Sequence, residues 1–511
     1  MTFIDPERVI TFWGPTAASP RFVEAPVLRW QPTAPATRYE VAVADPERVV
    51  WRTSTTAAEV DLVQAWPALP LGAVDVLVRG FDDDDHEVSV RGHRRFWRVP
   101  GFDGALPPAA DWEGAVHRAI DYLLGPARDR VYDYEAEAPR SVWSSFEDSA
   151  TGLRGQLGFP SLHNPSFVLA LLAYADRFPT APAAPIAERQ ALAYGRWLVD
   201  HVLPDGWRCA GLSPSTVERG RVGGLVEGGN ITLFRSARVG EAMLRLFAHT
   251  GDDVYLRRAR RIAAVLLELQ QDNGSWPYRV DPKTGAIADA YTSAAITPIR
   301  LFAMLEPLGD DADRLRAARQ RAETWLLNGP ISDGRWEGMY EDVPAVEPWT
   351  NLQNWDTNET IRYLLGPDCE LPDRVAHAEA LNAYIEDQFV VWRPEESPVQ
   401  VRCPTPAVIE QYRCYHPMEV HTGNWLASLL ALHRATGDDR YRAKGVAAAN
   451  AIVAGQHDHG ALSTWGFDTR FGTPLQPRNW PGCNAVAVSA LLHWSAYQAD
   501  PVGYRPSAWA V

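Results

Sequence analysis

The chain has 511 residues, 46% hydrophobic and 22% charged, the balance of a globular protein too long for one small core. A formal net charge of −15 argues against a nucleic-acid partner, and no run of about 18 apolar residues is present to span a membrane. Five widely spaced cysteines without a CxxC pair argue against a disulfide framework or a zinc knuckle.

The first residues, MTFIDPERVITFWGP, carry Asp5 and Glu7 and no apolar core of a secretory leader, so a cytoplasmic location is expected. From residue 26 the chain reads PVLRW, ATRYEVAVAD, VVWRTST, AAEVDLV, VDVLVRGFD and RRFWRV. These short stretches alternate with period two and are broken by Pro, Gly and Asp, the signature of antiparallel strands. Tyr39, Val41 and Val43 alternating with Glu40 and Ala42 show the pattern best. With its early Trp30 and its YEV strand, the segment 1–100 resembles a fibronectin type III or immunoglobulin-like β-sandwich. Asp82-Asp83-Asp84-Asp85 resembles the acid string of class II terpene cyclases, but its place between two strands predicts a solvated hairpin tip. GFDGALPPAAD, residues 101–111, is a Pro/Gly linker.

From residue 112 to about 500 the apolar period becomes 3.6. Twelve helices are predicted, starting near Trp112, Pro165, Ala187, Leu233, Asp253, Ala290, Asp311, Asn354, Pro372, Glu419, Asp439 and Asn484. A repeat runs through them. Thr250-Gly-Asp-Asp253 and, 186 residues on, Thr436-Gly-Asp-Asp439 are each followed by Tyr, an alanine-rich helix and Gln-x3-Gly, at Gln270 and Gln456. A third copy is Leu308-Gly-Asp-Asp311. In each, Gly ends one helix and Asp caps the next. Short and long links alternate, which places six long links at one end of a six-pair ring. The pattern resembles an (α/α)6 toroid, an all-α domain behind the small β module, with residues 501–511 a tail.

The long loops collect the chemistry-bearing residues, where a rigid scaffold carries function. The second holds Glu227 and Asn230. The fourth, ISDGRWEGMYEDVPAVEPWTNLQNWDTNET (331–360), holds Trp336, Tyr340, Glu341, Trp355, Asp356 and Glu359. The fifth holds Tyr412, Arg413, Tyr415, His416, Glu419 and His421, and the sixth Trp465, Asp468, Arg470 and Trp480. Indoles and phenols supply flat apolar area with a polar edge, and Arg or His pairs with a carboxylate, so a sugar-binding bowl is expected. A module of this kind ahead of an (α/α)6 toroid resembles carbohydrate-active enzymes, among them glycoside hydrolases, polysaccharide lyases and uronate epimerases. The DAGD string of family 9 cellulases is missing.

Hydrolysis of an oligo- or polysaccharide, uronate-containing chains among them, needs two carboxyls. Asp356 with Glu419 or Glu341 is the expected pair, Tyr415 and His416 standing beside them. The plainer alternative makes Asp356 a helix cap and Glu359 its capping-box partner. A lyase or epimerase would instead use Tyr412, Arg413, Tyr415, His416 and His421 with Asn424 or Asn230. A non-catalytic glycan-binding protein is a further alternative. So is a terpene-cyclase-like toroid, whose QW repeat Gln270-x3-Gly274-x-Trp276 resembles. No cofactor and no metal are expected.

Overall fold

The two repeated TGDD strings fold alike. Gly251 and Gly437 take the left-handed φ of 71° and 70° that a side chain resists. Asp252 and Asp438 follow as N-caps, their carboxylates accepting Val254 N–H and Arg440 N–H at 2.9 Å. The third copy departs, since Gly309 is extended and Asp311 makes no side-chain cap. The downstream glutamines match too. Gln270 Nε2 donates to Gly274 O and across to Ala318 O, while Gln456 Nε2 donates to Gly460 O and across to Ala115 O. Each glutamine therefore ties its loop to the next outer helix, and the second closes the ring onto its first helix.

The computed structural model describes residues 13, 19, 21–125, 132–133, 138–139, 157–218, 221–222, 229–289, 295–309, 311–332, 334–336, 351–393, 401–412, 414–464, 467–468 and 480–505. Only the backbone is described at 89–91, 132–133, 138–139, 157–158, 218, 221–222, 401–402, 414–416 and 467–468.

Twelve α-helices form the larger part among these residues: α1 (Trp112–Leu124), α2 (Pro160–Arg177), α3 (Ala184–Asp200), α4 (Leu233–Thr250), α5 (Asp253–Leu269), α6 (Ile296–Leu305), α7 (Ala312–Leu326), α8 (Trp355–Leu364), α9 (Arg374–Gln388), α10 (Glu419–Thr436), α11 (Asp439–Ala454) and α12 (Pro481–Ala499). The even-numbered helices pack each against the next, and α12 meets α2, so they close an inner ring. Each odd helix from α3 to α11 packs outside the inner helix before it, and α1 packs on α12. All twelve lie near their predicted starts, the largest shift being the sixth, which begins at Ile296 and not at Ala290. The second starts five residues early because Pro160 fits the first helical position, where no N–H is needed. Small residues let the inner helices approach closely; the position of a Cβ on Gly423 lies 3.0 Å from Ala487 Cα. Every long link leads from an outer helix to the N-terminus of the next inner one. Neighbouring links are stitched together around the rim: 157–158 with 217–218, 231–232 with 279–280, Gln353 with Gln411, and 401–402 with 467–468.

The N-terminal strands are β1 (Arg21–Phe22), β2 (Val27–Arg29), β3 (Arg38–Ala44), β4 (Val49–Thr55), β5 (Glu59–Asp61), β6 (Gly72–Phe81) and β7 (Glu87–Arg98). They form a five-stranded sheet in the order β1-β7-β6-β3-β4 and a β2-β5 pair. One core lies under both, with Tyr39, Val41, Val43, Val76 and Phe96 from the sheet and Leu28 and Val60 from the pair. The alternation read in β3 sends its odd residues inward. Asp82–Asp85 is the β6–β7 turn, with Asp82 Oδ1 accepting Asp84 and His86 N–H. The module sits against the end of α9. Gln388 Nε2 donates to Arg21 O at 3.0 Å, half-buried Asp387 accepts Val23 and Glu24 N–H, and Ser19 Oγ lies 3.1 Å from Tyr412 OH.

Candidate active site

Six inner-helix N-termini converge on one face, and their first turns carry the candidate chemistry. A small apolar cluster lines this end, separate from the main core: Phe234, Tyr278, Trp355, Met418, Val420 and Cys483 among others, with half-buried Trp480 packed on it.

α8 begins at Trp355 with Asn354 in the N-cap position, and no side chain caps it. Asp356 is therefore the second helical residue and Glu359 the fifth, a spacing at which no capping box forms. Asp356 is fully buried; its Oδ2 accepts Gln353 Nε2 at 2.9 Å, and its N–H donates to Gln353 Oε1 at 3.1 Å. Gln353 is held in turn by its backbone bond to Trp336 O. Glu359 points below the face into an ion cluster. It accepts Arg238 Nη1 at 2.6 Å, Trp355 Nε1 at 2.9 Å and Thr297 Oγ1 at 3.2 Å, with Arg300 at 3.6 Å. Burial works against its charge, but Arg238, Arg300 and Arg362 outweigh burial and hold its carboxyl below the usual range. Glu241, 3.2 Å from Arg300, goes the other way, because there burial wins. Glu359 thus fixes the Trp355 indole, whose ring face lies 5.2 Å from the Arg238 guanidinium.

Glu419 is the first residue of α10, the helix next to α8 in the ring. Its Oε1 accepts Thr464 Oγ1 at 2.8 Å and Asn484 Nδ2 at 2.9 Å, the latter from the first turn of α12. Backbone N–H groups of the first turn also reach it. Burial nonetheless dominates and pushes its pKa up to about 8. At neutral pH this carboxyl keeps its proton. Two residues on, His421 is buried and its pKa is pushed down to about 3 by burial, so the ring is neutral. Its Nδ1 lies 3.2 Å from Asn354 Oδ1, and Asn354 Nδ2 is spent on Ile409 O and Glu410 O. The Asn354 oxygen is thus the acceptor, the His421 proton sits on Nδ1, and Nε2 carries the lone pair. On α2, burial and then Arg235 and Arg238 push the His163 pKa down to about 3.

The structure therefore brings Trp355, Asp356, Glu419 and His421 onto two adjacent first turns. Asn230 is half-buried just ahead of the strand pair that joins the second and third loops. Two expectations need correction. Trp336 is 1% exposed and packs in the main core, so it offers no face to a sugar. Tyr412 leaves the bowl: its hydroxyl serves the junction with the N-terminal module, donating to Gln388 Oε1 at 2.8 Å. Glu227, Tyr340, Glu341, Arg413, Trp465 and Arg470 lie outside the described residues. Tyr415, His416 and Asp468 are described by backbone alone, on strands Cys414–Pro417 and Phe467–Asp468. The sequence reading missed Arg238, Glu241, Arg300 and Arg362. For Arg238 and Glu241 the signal was present in α4, where Arg235, Arg238 and Glu241 recur every three residues and all three are buried. Among the described residues no three His, Cys, Asp or Glu side chains gather as metal ligands.

No protein-family model matches the chain, and no curated protein sequence matches it. Solved structures share the fold. A family 76 glycoside hydrolase from a bovine Bacteroides thetaiotaomicron strain is 10% identical, over 94% of this chain and 97% of that one, with a TM-score of 0.51. A cellobiose 2-epimerase from Spirochaeta thermophila is 11% identical over 76% and 98%, with a TM-score of 0.53. A D-mannose isomerase is 13% identical over 75% and 96%, with a TM-score of 0.52.

Proposed function

We propose that this chain is a carbohydrate-processing enzyme that cleaves glycosidic bonds of an oligo- or polysaccharide. The observation that carries this reading is Glu419, a buried carboxyl that holds its proton at neutral pH, with a second buried carboxyl, Asp356, on the first turn of the adjacent inner helix. A carboxyl that keeps its proton suits the acid role, and hydrolysis needs a second carboxyl as its partner. In this reading Glu419 protonates the leaving oxygen, and the Asp356 carboxylate acts as base or nucleophile. Half-buried Trp480 supplies the ring platform, packed on a cluster that holds Trp355 and Tyr278. Glu227, Tyr340, Glu341, Arg413, Tyr415, His416, Trp465, Asp468 and Arg470, all from the long-loop sequences, are the further substrate contacts in this proposal. The shared fold supports the class and not the bond that is cleaved. The N-terminal strands, in the same reading, are a sandwich of the fibronectin type III or immunoglobulin kind.

A panel of neutral and uronate-containing oligosaccharides tests it, read by new reducing ends and by absorbance of a 4,5-unsaturated product. Reducing ends without that absorbance are expected. Asp356→Asn should then lose about 10²–10⁴-fold in rate; full activity in that variant would remove Asp356 from the mechanism. A second reading rests on His421. A neutral imidazole with its lone pair on Nε2 is a competent base for removing a sugar C–H proton, as in epimerisation or elimination. Its mark would be deuterium entering the sugar from D2O without bond cleavage for epimerisation, and the absorbance of the 4,5-unsaturated product for elimination.

A further inference from the structure

Behind Glu419, on the side of the outer shell, lies a cavity of about 40 Å³. It is bounded by Cys403, Met418, Glu419, Thr422 and Ser463, with Ile452 of α11 on its outer wall. That volume has room for roughly two or three water molecules; on a mostly apolar wall, Glu419, Thr422 and Ser463 are the polar side chains that face them. While Oε1 of Glu419 is taken by Thr464 and Asn484, Oε2 is sealed from solvent and has no hydrogen-bond partner among the described residues. Ser463, next to Thr464, has its Oγ 2.9 Å from His457 Nε2. The half-buried His457 ring stacks on His459, which is exposed, at 5.3 Å. His457 and Ser463 are both half-buried, and Ser463 lines the cavity together with buried Glu419.

We propose that Glu419 exchanges its proton with solvent through this wall of the toroid, with His457 and Ser463 as relay residues and cavity water as the link. The step balances as a single proton moving inward. A solvent proton adds to His457 Nδ1, the Nε2 proton passes to Ser463 Oγ, the Ser463 proton passes to water, and a water proton reaches Glu419 Oε2. A sugar filling the bowl would cut the acid off from solvent on that side, and a rear path restores its proton without product leaving first. The proposal rests on the reading of Glu419 as proton donor.

The test follows the carboxylic C=O stretch of the intact protein by infrared spectroscopy at pH 6 after transfer to D2O. The band is assigned by its loss in Glu419→Gln. The wild-type band should shift quickly, at least tenfold more slowly in His457→Ala and in Ser463→Ala, and added imidazole should restore the rate in His457→Ala. An imidazole effect separates a relay from a merely structural role. Unchanged exchange in both variants, or slowing that imidazole leaves as it is, overturns the relay while leaving Glu419 as the acid. Absence of the band from the wild type overturns the reading of Glu419 itself.

Discussion

Glu419→Gln should lower activity and raise stability together, and the size of both follows from one buried carboxyl. Gln copies the protonated side chain: its carbonyl can accept Thr464 Oγ1 and Asn484 Nδ2 as Oε1 does, but it has no proton to give. Loss of a general acid costs about 10²–10⁴-fold, or ~3–5 kcal/mol of barrier. The stability effect has a defined sign. Unfolded, Glu419 ionises near its ordinary value, whereas folded it ionises at about 8. Between those values the unfolded chain has released the proton and the folded one has not, so rising pH favours unfolding across that window. Below it the variant and the wild type should have similar stability. Above pH 8 the wild type carries a penalty on the order of 4–5 kcal/mol that Gln escapes. Urea unfolding at pH 5 and pH 9, paired with the pH–rate profile, measures both. A stability difference that is the same at the two pH values would refute the buried-acid argument, and a variant with wild-type rates would refute its catalytic part.

Four further outcomes are expected. A Cβ on Gly482 would lie 1.6 Å from His163 Nδ1, so Gly482→Ala should cost about 1–3 kcal/mol in thermal or urea unfolding; an unchanged midpoint would mean that His163 can move aside at no cost. Gln270→Ala and Gln456→Ala remove equivalent ties half a ring apart and should each cost about 1–2 kcal/mol, with additive effects in the double variant; strong coupling between them would contradict the independence of the two seams. Burial pushes the pKa of Asp387 at the module junction up to about 7, so Asp387→Asn should gain stability over the wild type as pH rises from about 4 to 7; parallel pH curves would show that the carboxyl is not confined there. Trp355→Phe leaves the Glu359 oxygen without its indole donor and should raise KM for any sugar substrate more than it lowers kcat, which steady-state kinetics on the substrate found by the oligosaccharide panel would show.

Much of the frame is local and therefore written in the sequence. A 3.6-residue apolar period, a Gly that tolerates positive φ and an Asp that caps the next turn act within a few residues of one another. Their recurrence 186 residues apart fixed the helix pairing, and the alternation of link lengths placed the functional loops at one end. The candidate site was legible as a region, with Asp356, Glu419, His421 and Trp355 named in it. What each residue does there was not. Asp356 and Glu359 lie three apart in one helical turn, yet one meets Gln353 at the face and the other meets Arg238 and Arg300 from α4 and α6. Glu419 keeps its proton because burial outweighs the hydrogen bonds from Thr464 and Asn484, far along the chain, which favour its charged form. Tyr412, written into the same aromatic run as Tyr415, turns instead to Ser19 and Gln388. Periodicity and caps are set by neighbours in sequence, so the chain alone determined the toroid and its loops. Burial, and with it protonation, is set by neighbours in space, so only the tertiary structure decided which carboxyl keeps its proton.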